Sequence, residues 1–319
     1  MAQLRRRSRE KRPMPAIMAA EEIGSLFGKI AALGIDVDAG SRFAIYRDHL
    51  TAQHRPSKEF RAYMTTPGGR RLAFEAGSQI MQLHFSSTIW EKLERAPLRA
   101  LLREILEGPP IDPGDDDRPR NKLLELVAAV SFADKFSVSL VKNAEDVRLL
   151  SPDGKRGAVE CKRPKTFDNI LGSLNEIGRQ LRTRSGSDFG VAAIGGDRIA
   201  ELASSEGVEA ETAEEADGGM SDIATVIRHV VERKAQDEAC TLLPSADYAV
   251  VILTAAVLVR KPFFLRPTCR AVNFTLSPAG VPGTVWEAFR PREGGPLARY
   301  LTQHTTVTVR KGRPDEPKG

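Results

Sequence analysis

Two short runs with strand character, residues 146–150 and 158–162, are separated by Pro152-Asp153-Gly154. Proline presets one turn dihedral and glycine tolerates the other, so the two runs are expected to fold back on each other as an antiparallel hairpin. Arg163-Pro164 then ends the pairing, because proline has no N–H to give to a ladder. The flanking segments narrow the choice further. Residues 121–133 carry Leu123, Leu124, Val127 and Val130 at helical spacing, and residues 136–141 read as a strand. Residues 167–182 place Ile170, Leu171, Leu174, Ile177 and Leu181 on one helix face, and 189–194 form another strand. Helix, three strands, helix, strand is the order of an α/β domain with helices packed on a mixed sheet.

Upstream, residues 17–108 are helical in pattern. Ile23, Leu26, Phe27, Ile30 and Leu33 recur at helix spacing, as do Leu93, Leu98, Leu101, Leu102, Ile105 and Leu106 before Gly108-Pro109-Pro110. Residues 109–120, with Asp115-Asp116-Asp117, are expected to be a linker between this helical N-terminal region and an α/β domain over 121–309. Within that domain residues 201–222 hold eight acidic side chains and no Lys or Arg, the pattern of a solvated insertion. Helix is expected again at 223–235, and strands at 248–259 and 271–276. Residues 310–319 read as a disordered polar tail. No internal repeat is present.

The net charge of +5 lies in the first 13 residues, six basic against one acidic, so residues 1–16 are expected to be a disordered basic tail on a neutral body. Three cysteines, Cys161, Cys240 and Cys269, suit neither a disulfide framework nor a zinc site and point to a reducing compartment. Residues 249–259 are shorter than the ~20 residues of a membrane span. Residues 16–20, closed by Glu21 and Glu22, are too short for a secretion signal. A cytoplasmic protein without membrane partners is the expectation. Phosphate-loop, dinucleotide-binding, hydrolase-elbow and zincin motifs are missing from the sequence, which disfavours those enzyme classes. His49, His54, His84, His229 and His304 show no ligand spacing.

Within the hairpin, Glu160 and Lys162 are two apart and share a face, while Cys161 points to the other. Asp146 on the partner strand stands at one end of that face. Two carboxylates beside an ammonium suit Mg²⁺ or Mn²⁺, which prefers oxygen ligands and keeps waters that can attack a phosphodiester, with the lysine orienting water or offsetting phosphate charge.

These residues, with the order of elements around them, resemble the PD-(D/E)xK nuclease superfamily, the restriction-endonuclease-like fold, over residues 120–194. The resemblance implies a metal-dependent hydrolysis of phosphodiester bonds in DNA. It implies Asp146 and Glu160 as metal ligands, Lys162 as the catalytic lysine and Glu125 as an additional acidic ligand. Gln180 or Asn175 is similar to the polar residue many members turn toward the site. Arg163 and Lys165, at the exit of the third strand, are expected to contact substrate. The sequence departs from the family pattern in one place, where Glu145 rather than proline precedes Asp146.

Residues 118–184 carry 14 Lys or Arg against 8 Asp or Glu, the excess expected of a surface that tracks phosphates. The helical N-terminal region is expected to position substrate, a protein partner or a second copy in a homodimer. The alternative is a catalytically inactive member of the fold that binds nucleic acid or protein.

Overall fold

A computed structural model describes residues 18, 20–54, 56–111, 117–133, 135–140, 146–166, 169–184 and 186–198, and the strands at 209–210, 247–259, 264–277 and 301–308. The basic tail, the C-terminal tail, the helix expected at 223–235 and all of the acidic insertion except 209–210 lie outside these residues.

The N-terminal region folds as α1 (Ala20–Ala32), α2 (Arg42–Gln53), α3 (Lys58–Met64), α4 (Pro67–Ser86) and α5 (Arg95–Leu106), with a 3₁₀ turn at Trp90–Lys92. Side chains start several of these helices. Ser41, Ser57 and Thr66 each accept a hydrogen bond from a backbone N–H of the first turn, satisfying donors that have no partner within the helix. Gly69 has to be glycine where α3 meets α4, because a Cβ there would stand 2.1 Å from the carbonyl oxygen of Tyr63.

The remainder runs α6 (Arg118–Phe132), β1 (Ser137–Leu140), β2 (Val147–Leu150), β3 (Arg156–Lys162), α7 (Asn169–Arg182) and β4 (Phe189–Gly195). These are followed by β5 (Glu209–Ala210), β6 (Asp247–Val259), β7 (Phe264–Ser277) and β8 (Leu301–Thr308). The sheet order is β1-β2-β3-β4-β6-β7-β8, with β5 paired to β6. β1, β2 and β3 are antiparallel neighbours, and β4 runs parallel to β3 and to β6. The protein is thus mixed α/β. The two C-terminal strands expected from sequence are present as β6 and β7, and β8 has no counterpart among the strands expected from sequence.

Two faces of the sheet take different helices. Val147, Leu149, Val159, Phe189, Val191 and Ala193 pack with α6 in the main hydrophobic core. On the opposite face the stripe Ile170, Leu174, Ile177 and Leu181 of α7 is buried against β3 and β4. Gly157 belongs to the crowded face, where an added Cβ would lie 2.3 Å from the Phe189 ring.

One continuous core runs from Met18 through α1, α2, α4, α5 and α6 to Ala193, so the N-terminal helices and the sheet share their interior. The stretch 109–120 is correspondingly more than a spacer. α6 starts inside it at Arg118, and Asp117 and Arg120 are buried. Arg120 bonds Glu75 at 3.1 Å and the Tyr46 hydroxyl at 3.1 Å, pairs with Asp117, and reaches the carbonyls of Pro109 and Pro110. Buried charges persist only when paired and hydrogen-bonded, and this group joins α2, α4 and α6 through such pairs. Among the described residues no helix is long and apolar enough to cross a membrane.

Candidate functional site

The hairpin register sets the site. Val147 pairs with Val159, and one step further along the antiparallel ladder brings Asp146, just ahead of β2, across from Glu160. Asp146 Oδ2 accepts the backbone N–H of Cys161 at 2.7 Å, which fixes its carboxylate at the end of β3. Alternation along β3 sends Glu160 and Lys162 toward α7 and Cys161 toward α6.

Each neighbouring charged group has a definite partner. Glu160 is 4% exposed, and its Oε1 accepts from Arg184 Nε at 3.1 Å and Nη2 at 3.0 Å. Lys162 Nζ donates to Glu176 Oε1 of α7 at 2.7 Å. Glu125 of α6, 7% exposed, receives Lys122 Nζ on both carboxylate oxygens at 2.7 Å. Lys122 stands one helical turn before Glu125, the spacing at which side chains meet on a helix surface.

Burial and the charge of Asp146 together shape the electrostatics of the site. Burial first, then the charge of Asp146 and a hydrogen bond with it, pushes the Glu125 carboxyl up to about 8, against the pull of Lys122. Burial and the Asp146 charge push Glu160 up to about 7, against Arg184 and Lys162. Burial opposes the charge of Lys122, but its bond to Glu125 and the charges of Glu125, Asp146 and Glu104 outweigh it and raise its pKa. For Cys161, burial and then Asp146, Glu125 and Glu160 hold the thiol well above its usual range, so it stays protonated and unreactive.

Asp146 is therefore the hinge of the arrangement: Glu125 on one side of the sheet and Glu160 on the other both feel its charge. These carboxylates are the hard oxygen donors a divalent cation takes, and burial together with the Asp146 charge raises both pKa values against the pull of Lys122 and Arg184. The donor chemistry fits Mg²⁺ or Mn²⁺. Among the described residues no three His, Cys, Asp or Glu side chains stand grouped to hold an ion, and Lys122 and Arg184 engage the two glutamates.

The other expected contacts divide. Gln180 is partly buried on α7, and its Oε1 is buried without a hydrogen-bond partner. Asn175 is exposed on the same helix, and Lys165 is exposed after β3. Arg163 requires a correction. Its guanidinium grips Asp197 through two bonds, at 3.1 and 2.7 Å, and its side chain is 4% exposed, so it faces the interior and not a substrate. Sequence reasoning missed Arg184, Glu176 and Lys122 as partners. The spacing of Lys122 and Glu125 carried a local signal; Arg184 and Glu160 are 24 residues apart and carried none.

In comparisons with known proteins, the chain matches no protein-family model, no curated protein and no solved structure.

Proposed function

We propose that the protein is a metal-dependent nuclease with a restriction-endonuclease-like core, hydrolysing phosphodiester bonds in DNA. The observation that carries this reading is the juxtaposition of Asp146 with Glu160 across β2 and β3, with Lys162 on the same face as Glu160. The order α6-β1-β2-β3-α7-β4, with its antiparallel and then parallel pairing, supports it.

Asp146 and Glu160 would hold Mg²⁺ or Mn²⁺, with Glu125 assisting. Bound there, the ion would supply Lewis acidity and a more acidic water. Lys162, once turned from Glu176, would orient that water or offset the negative charge that grows on the phosphate oxygens at the transition state. Exposed Lys165, just past β3, and the polar Gln180, in the last turn of α7, would contact the nucleic acid backbone.

The test is nicking of supercoiled plasmid with Mg²⁺ or Mn²⁺, alongside single-stranded DNA and RNA. Wild type should cut, and Lys162→Ala and Asp146→Ala should be reduced at least ~100-fold while remaining folded. Undiminished cutting by Lys162→Ala would remove this mechanism. A second reading, a non-catalytic member of the fold that binds nucleic acid or protein, is favoured by one observation: Glu125, Glu160 and Lys162 are each engaged by an oppositely charged side chain. DNA binding without divalent-ion binding or cutting would select it.

A further inference from the structure

Arg184 stands two residues beyond the end of α7, and both its Nε and its Nη2 point at one oxygen of Glu160. Glu176, within α7, takes Lys162 at 2.7 Å. One helix and its exit thus grip both functional members of the Glu160-Cys161-Lys162 triplet. Burial makes the Glu160 charge costly, and Asp146 across the hairpin adds repulsion, so this carboxylate needs a cation. Arg184 supplies one from a side chain that is 29% exposed, whereas the Glu160 side chain is 6% exposed. It can therefore swing outward without opening the core. A divalent ion on the same carboxylate would meet an arginine charge within a few ångströms, in a poorly screened setting.

Building on the reading of Glu160 as a metal ligand, we propose that Arg184 is a built-in competitor for the ion. It occupies Oε1 of Glu160 in the metal-free protein and keeps that carboxylate aimed. When the ion enters, Arg184 yields Oε1 and its guanidinium turns to the rim beside exposed Arg179 and Arg182, where a phosphodiester backbone would be met. Arg184 is in this sense a positioning residue that sets the metal threshold of the site.

The experiment is calorimetric titration of the full chain with Mn²⁺ at low ionic strength, using wild type, Arg184→Gln, Arg184→Lys and Glu160→Gln, with the Mn²⁺-induced shift in Tm as a second readout. Arg184→Gln should bind Mn²⁺ about tenfold more tightly and show the larger Tm shift, since one charge-assisted contact no longer has to be broken. Arg184→Lys keeps the charge without the planar fork and should fall between the two, and it carries the test if the glutamine variant does not fold. Unchanged or weaker Mn²⁺ binding in both Arg184 variants, with Glu160→Gln impaired, overturns the competitor role alone. Wild-type binding that is missing, or indifferent to Glu160→Gln, overturns the metal site and the competitor role with it.

Discussion

The carboxylate of Asp146 is bound to the backbone N–H of Cys161 at 2.7 Å, so the residue that leads into β2 is tied to the one between Glu160 and Lys162. The bond locks the open end of the hairpin and places a negative charge where it acts on Glu125 and Glu160 together.

Replacing this residue should separate the two effects. Asp146→Ala leaves the Cys161 N–H without its acceptor and should cost about 1–3 kcal/mol in urea denaturation. Asp146→Asn keeps an acceptor oxygen and should cost less. Both remove the charge, so the Glu125 and Glu160 carboxyls should titrate at lower pH when followed by carboxyl-carbon NMR.

The two raised carboxyls make stability fall toward alkaline pH. Unfolded glutamate titrates near ~4.3, whereas Glu125 sits at about 8 and Glu160 at about 7, so in between the folded chain binds more protons than the unfolded one. Their stabilising contribution is complete below the unfolded value and is lost as pH rises through 7 and 8. Each group loses about 1.4 kcal/mol for every pH unit that separates its folded from its unfolded value. Metal-free wild type should be less stable at pH ~8.5 than at pH ~6.5, and Glu125→Gln should flatten that slope. Chemical denaturation at the two pH values decides; a rise in wild-type stability would contradict the assignment.

His49 acts on the acid side. Burial lowers it to about 4, its Nε2 is buried without a hydrogen-bond partner, and its ring packs 5.1 Å from that of Phe60. A histidine depressed in the fold contributes stability above its unfolded value of ~6.5 and loses it as pH falls through the folded value, here about 3 kcal/mol over the window. Melting curves at pH ~6.5 and ~4.5 should show a smaller acid loss for His49→Leu than for wild type.

Gly157 lies beside Phe189 across the β3–β4 pairing, with no room for a methyl group. Gly157→Ala should therefore cost about 1–3 kcal/mol through displacement of the ring or the strand, read as a lowered Tm. An unchanged Tm would mean that the ring moves aside freely.

Arg163 and Lys165, two residues apart, should behave differently. Arg163→Ala leaves the buried Asp197 carboxylate unpaired and should cost about 3–5 kcal/mol of stability. Lys165→Ala should leave stability nearly unchanged and, if the chain binds DNA, reduce the salt slope of binding by about 1. Denaturation together with binding at several salt concentrations separates the two.

Much of the local structure was legible in the sequence. The Pro152-Asp153-Gly154 turn, the period-2 alternation at Glu160 and Lys162, and the 3.6-residue stripe from Ile170 to Leu181 act over a few residues, and β2, β3 and α7 lie within two or three residues of their expected positions. Asp146 opposite Glu160 follows from the same local rule, because hairpin register is set by its turn. The partners of the site charges depend on distant chain. Arg184 on Glu160, Arg163 on Asp197, and the Arg120–Glu75 pair span 24, 34 and 45 residues. Nothing in a periodic pattern distinguishes a lysine or arginine that faces solvent from one buried against a carboxylate. The shared interior of the helices and the sheet belongs to the same class, since amphipathic faces declare that they will be covered but not by what. The elements, and the face on which Glu160 and Lys162 sit, follow from backbone sterics and hydrophobic period, which are local. Which charges are paired, which are buried and how far Glu125 and Glu160 are pushed from their ordinary pKa come from the packed chain alone, because desolvation and Coulomb forces depend on distance through space.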